Sequence, residues 1–180
     1  MGRHFNSYVL TFNMESRHTD KPGVDSESKP EVANLGWVRP PLVYLCSIVA
    51  GAVLNLRWPL SFTVPAGPVI GSTMILTSLL VFLLSIRELR TSGTPVRGNH
   101  PTTTIVRTGP YRFSRNPIYL SFFLLQLGIS IWISSTWMLV TLVLAAGLVS
   151  AIVIPREERY LERRFGPQYL SYRISVRRWL

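Results

Sequence analysis

From Val64 to Ile86 no side chain carries a charge, and the run stops at Arg87-Glu88-Leu89-Arg90. A helix of that length crosses the roughly 30 Å hydrocarbon core of a bilayer, and a helix apolar on every side is one that water does not surround. Three more apolar blocks share the chain. Pro41 to Leu56, closed by Arg57-Trp58-Pro59, stands near the minimum for a span; another opens at Asn116-Pro117 and runs to Ile133; the last runs from Trp137 to Ile154. Only Ser134, Ser135 and Thr136 separate the last two, which predicts a tight antiparallel hairpin. Pro117 suits a first helical turn, where its missing N–H has no intrahelical partner, whereas Pro155 is expected to end or kink its helix. The expected fold is all-α: an integral membrane bundle of about four transmembrane helices with a cytosolic C-terminal helix.

The charges set the expected orientation. All basic residues except Lys21 and Lys29 are arginines, and they give a net charge of +10 without forming one basic domain. They fall between apolar blocks, so anionic lipid headgroups, and no nucleic acid, are the expected partner. The connection after the first block offers only Arg57, and the turn after the third offers none. Arg87, Arg90, Arg97, Arg107, Arg112 and Arg115 fill the connection between the second and third blocks, and seven more follow the fourth, from Arg156 to Arg178. The bias of arginine and lysine toward the cytoplasm then places both termini and the Arg87–Arg115 connection inside, in a multi-pass membrane protein.

Cys46 is the only cysteine, which excludes an internal disulfide, and it is read as a small buried apolar residue. Residues 1–36 mix charges with Ser, Pro and Gly and are expected to be mobile, ahead of a membrane domain over 37–180. No apolar core of a secretory signal is expected there, and Asn6 stands where N-myristoylation needs serine or threonine.

Two arginine-rich segments flank the hairpin and are expected to meet. The first reads Thr108-Gly109-Pro110-Tyr111-Arg112-Phe113-Ser114-Arg115-Asn116-Pro117-Ile118-Tyr119, with a turn at Gly109-Pro110. The second, Arg156-Glu157-Glu158-Arg159-Tyr160-Leu161-Glu162-Arg163-Arg164-Phe165-Gly166, is a charged helix with glycine placed to stop it. Paired glutamates at the mouth of a membrane hairpin are costly unless something cationic sits beside them.

In these residues the chain resembles the isoprenylcysteine carboxyl methyltransferase and phospholipid methyltransferase superfamily, membrane enzymes that use S-adenosyl-L-methionine. The resemblance covers Gly-Pro-Tyr-Arg…Arg-Asn-Pro-Ile-Tyr and the Glu-Glu…Phe-Gly…Tyr…Tyr-Arg tail, about residues 94–180. It implies that Ile105, Val106, Gly109, Tyr111, Arg112, Asn116, Pro117 and Tyr119 line the cofactor, with Glu157 or Glu158 closing it. It also implies that Arg115, Asn116 and Glu158 stand at the reacting centre. The chemistry fits, since carboxylates suit the cofactor's cationic groups, Arg112 or Arg115 its carboxylate, and Tyr111 and Tyr119 its adenine or a cation. Many members carry histidine where this chain has Asn116, which hydrogen-bonds but does not titrate near neutrality; that excludes an imidazole base at this position.

Each residue also has a plain reading. The arginines satisfy the cytoplasmic bias, and Glu157, Glu158 and Glu162 can pair with Arg159 and Arg163 along an interfacial helix. Tyr111, Tyr119, Tyr160 and Trp179 can anchor at the interface, His100 reads as a solvated loop residue, and Glu88 as an ion-pair partner of Arg87 and Arg90. The order of the motifs together favours methyl transfer from S-adenosylmethionine to a lipid-like or prenylated membrane-soluble acceptor. The alternatives are a sterol-type membrane reductase using NADPH and a non-enzymatic lipid-binding membrane protein. Acceptor atom and oligomeric state are not encoded in any of these signals.

Overall fold

The computed structural model describes residues 39–93 and 103–180. The expectations for residues 1–36 and for His100 fall outside the described residues. Helices α1 (Pro40–Arg57) and α2 (Gly67–Thr91) come first, followed by a 3-10 turn at Gly109–Arg112 and the hairpin of α3 (Pro117–Trp132) and α4 (Thr136–Leu148). A π-helical segment, Val149–Val153, leads directly into α5 (Ile154–Phe165), and Gly166 separates this from α6 (Pro167–Ser175). Among the described residues there is no strand, only an isolated bridge between Ser61 and Ser135.

All four apolar blocks are helical. Pro40–Arg57, Gly67–Thr91 and the continuous Thr136–Phe165 are long and apolar enough to cross a membrane, while the apolar helix Pro117–Trp132 is shorter. At about 1.5 Å per residue this shorter helix falls somewhat below the bilayer core thickness.

The distribution of polarity is that of a protein solvated by lipid. Leu83, Val143 and Leu144 are more than 60% exposed, while Ser78, Ser85, Gln126 and Ser130 are at most 2% exposed. The buried hydroxyls of Ser78 and Ser85 bond to carbonyls of their own helix, those of Ile75 and Val81. The Gln126 amide draws three helices together: Ser47 Oγ donates to its Oε1 at 2.6 Å, and its Nε2 donates to Thr141 Oγ1 and to the Met138 carbonyl. Without a hydrophobic force between helices in lipid, such bonds and close backbone approach hold the bundle. The close approach is at Gly71 and Gly128, where a Cβ on Gly71 would lie 2.6 Å from the Gly128 carbonyl oxygen, so α2 and α3 pack backbone to backbone.

One expectation needs correction and one is narrowed. Cys46 is exposed on α1 rather than buried, because an apolar helix in lipid puts apolar residues on its outer face. Pro155 does not end its helix. The π segment widens the preceding turn, with the Ile154 N–H bonded to the Val149 carbonyl, and Pro155 then sits in a fresh first turn where a missing N–H is tolerated. One continuous helix therefore carries the chain from the apolar bundle into the charged Glu157–Glu158 segment.

Candidate functional site

Four element ends converge on one end of the bundle: the start of α1, the end of α2, the start of α3 and the start of α5. At the opposite end the backbone of Leu60 and Phe62 bonds to Thr136 and Ser134, and Trp137 Nε1 donates to the Trp58 carbonyl. The chemistry-bearing residues all lie at the first end.

There the two arginine-rich segments do meet. The C-terminal tail after α6 runs against the entry to α3, where the Arg115 N–H donates to the Arg177 carbonyl at 3.0 Å. Asn116 Nδ2 donates to the Arg178 carbonyl at 3.1 Å, and Ser114 Oγ donates to the same oxygen. Asn116 is thus the N-cap residue of α3, yet its side chain is turned away from the helix to hold the tail. Trp179 follows and packs against Phe123, ring centroids 6.4 Å apart.

The two glutamates have separate partners. Glu158, 6% exposed, lies between two arginines: Arg178 Nη2 reaches its Oε2 at 2.7 Å and Arg115 Nη1 approaches its Oε1 at 3.1 Å. The Arg115 contact is off-line, so buried Nη1 and Nε both lack a hydrogen-bond partner among the described residues. Glu157 accepts a 2.6 Å hydrogen bond from the Tyr119 hydroxyl. Tyr111 joins this group: its phenol interacts electrostatically with Glu157 and with Glu88, and its carbonyl accepts a 2.8 Å bond from the Tyr172 hydroxyl. Burial first, then the neighbouring Tyr172, Glu157 and Glu88, raises the Tyr111 phenol above its ordinary value. The Tyr172 phenol is raised as well, chiefly by burial, so both stay protonated donors at neutral pH.

Over residues 67–168, from the start of α2 into α6, the sequence matches the phospholipid methyltransferase family. The chain belongs to the phospholipid methyltransferase family. It is also similar to an uncharacterized protein of Haemophilus influenzae, 35% identical over 63 residues, which is 35% of this chain and the whole of that protein. No solved structure matches it significantly.

In this family member the structure gathers Arg115, Asn116, Tyr119, Tyr111, Glu157 and Glu158 at one end, with Pro117 buried beneath them at the start of α3. Arg112 is placed differently: it is exposed, its guanidinium 5.8 Å above the Phe113 ring. Val106 is buried and Ile105 half-buried on the approach to the turn. Gly109 has φ +57°, which favours glycine, and a Cβ there would lie 3.1 Å from a Glu88 carboxylate oxygen. Glu88 also accepts from the Thr108 hydroxyl, so it anchors the turn rather than serving only its neighbours Arg87 and Arg90. Glu162 pairs with Arg173 of α6.

Sequence reasoning missed Arg178 as the partner of Glu158, Glu88 as the support of the turn, and Tyr172 as the clasp on Tyr111. Arg178 had a signal, since a glutamate pair at a membrane edge requires cations and the tail supplies them. The other two contacts depend on how α2 and α6 pack, which local patterns do not encode.

Proposed function

We propose that this protein transfers a methyl group from S-adenosyl-L-methionine to a lipid-like or prenylated acceptor held in the bilayer, in the manner of isoprenylcysteine carboxyl methyltransferases. What carries the reading is the Arg115 guanidinium where the two motif segments converge: its Nη1 is ion-paired with Glu158 at 3.1 Å, while its buried Nε has no hydrogen-bond partner among the described residues. An unpaired buried donor on a cation is costly, and a carboxylate such as that of S-adenosylmethionine would satisfy it. The remaining groups suit the rest of that cofactor. Glu157 and Glu158 offer negative charge for its cationic groups, Tyr111 and Tyr119 offer ring faces, and Asn116 offers an amide. Bound there, the cofactor supplies a methyl group on an electrophilic sulfonium.

The chain's own residues then orient and exclude. Arg115, Asn116 and Glu158 would fix one end of the site, and the tail from Val176 to Trp179, bonded to all three, would hold them in place. Methyl transfer is an in-line displacement that discharges a cation, so alignment and a water-poor setting contribute more than an acid–base set. The bilayer edge provides that setting, with the cofactor entering from the arginine-rich side and an apolar acceptor arriving between helices. The same arginine bias supports cytoplasmic termini. The test is calorimetric titration of the detergent-solubilised protein with S-adenosylmethionine, followed by transfer of its labelled methyl group to phospholipid and prenylcysteine acceptors. Binding that disappears in Arg115→Ala, in a variant that remains folded, supports the assignment; binding unchanged in that variant removes it.

A further inference from the structure

Tyr44 lies in the second turn of α1, ahead of the segment that matches the family. Its side chain is 1% exposed, and its hydroxyl has no hydrogen-bond partner among the described residues. Nearly every buried hydroxyl in a folded protein is bonded, so an orphan that persists calls for an explanation, and an absent ligand is one. Its position names the ligand's side of the site. The ring packs on Phe122 of α3 at 5.8 Å between centroids and belongs to the apolar cluster of Leu142, Ala145 and Val149. Tyr119, one turn before Phe122, packs against the same cluster. The Tyr119 proton is already committed to Glu157. Tyr44 therefore supplies a free donor on the apolar, membrane side of the Tyr119–Glu157 pair, whereas the unbonded Nε of Arg115 lies on the side of Glu158 and the C-terminal tail.

We propose that Tyr44 is a binding residue for the methyl acceptor, its hydroxyl donating a hydrogen bond to an oxygen in the head of a lipid whose apolar tail lies along α1, α3 and α4. This rests on the methyl-transfer reading for what happens to the bound lipid, not for the contact itself. A phosphoester, carboxylate or carbonyl oxygen meets the requirement; a bare hydrocarbon does not.

The experiment compares the full chain with Tyr44→Phe in detergent, titrating dihexanoyl phosphatidylethanolamine and N-acetyl-farnesylcysteine as lipid probes and S-adenosylmethionine separately. Removing an unsatisfied buried hydroxyl breaks no bond of the resting protein, so the thermal midpoint should hold or rise. The account expects affinity for at least one lipid probe to fall about tenfold, the scale of one lost hydrogen bond, with cofactor affinity within about twofold of the parent. Equal lipid affinities overturn the proposal, as does a fall in thermal midpoint together with cofactor affinity, which would mark a structural role. Failure of the parent to bind either lipid also overturns it. A parent that binds lipid through Tyr44 but transfers no methyl group refutes the methyl-transfer reading and leaves the Tyr44 contact standing.

Discussion

The Tyr119 hydroxyl donates to Glu157 Oε1 at 2.6 Å, tying the first turn of α3 to the first turn of α5. This bond closes the α3–α4 hairpin at its open end, opposite its three-residue turn. It also sets Glu157 apart from Glu158, whose partners are cationic, so the two adjacent carboxylates have different roles.

Tyr119→Phe and Glu157→Leu are each expected to destabilise the protein, and less than additively when combined. A typical intramolecular hydrogen bond is worth about 0.5–1.5 kcal/mol, and residues in one network typically couple by about 0.5–3 kcal/mol. A double-mutant cycle measured by unfolding in mixed micelles checks this; additive losses would mean that the bond contributes nothing.

Glu158→Gln is predicted to cost about 3 kcal/mol of stability, because it leaves Arg115, 10% exposed at the side chain, as a buried cation with no counter-charge. Arg178→Ala should cost far less, about 1 kcal/mol or below, since Arg178 is 36% exposed and Arg115 still neutralises Glu158. Reversal of that order in denaturation midpoints would contradict the assigned roles.

Gly71→Val should also destabilise the protein, since its side chain would be driven into the Gly128 carbonyl and the Trp132 backbone, from which a Cβ alone would be 2.6 and 2.8 Å away. Overpacking of this kind costs about 1–3 kcal/mol or more. Loss of helical signal at a lower temperature, with α2 and α3 pushed apart, is the expected readout; an unchanged midpoint would show that the helices do not meet at these glycines.

Deleting Val176–Leu180 removes the carbonyls that receive Arg115, Asn116 and Ser114, along with the Arg178 guanidinium. The truncated protein is expected to keep its bundle, which is held by Gln126 and the glycine contacts, and to lose at least tenfold in cofactor affinity, about 1.4 kcal/mol. Circular dichroism and calorimetry on the same sample separate the two effects. Undiminished cofactor affinity would show that the site does not depend on the tail.

The helices were legible because lipid imposes a simple rule: an uncharged run of sufficient length becomes a helix, as Gly67 to Ile86 did. The hairpin followed from the shortness of Ser134-Ser135-Thr136, and the meeting of the two flanking segments followed from the hairpin. The passage through Pro155 was not legible, since a π-turn depends on a local hydrogen-bond shift that any apolar run can make. Partner choice was equally hidden. Glu158 had arginines within reach along its own helix, and only the return of the tail past α3 selects Arg115 and Arg178. Cys46 shows the limit of hydropathy alone, which assigns a residue to an apolar setting without distinguishing lipid from protein interior.

The most direct measurement is transfer of the labelled methyl group from S-adenosylmethionine into the lipid fraction by the purified, detergent-solubilised protein, run beside Arg115→Ala. The account predicts label in a phospholipid or prenylcysteine acceptor with the parent protein and none above background with a folded Arg115→Ala. A folded parent that neither binds the cofactor nor labels any acceptor would contradict it.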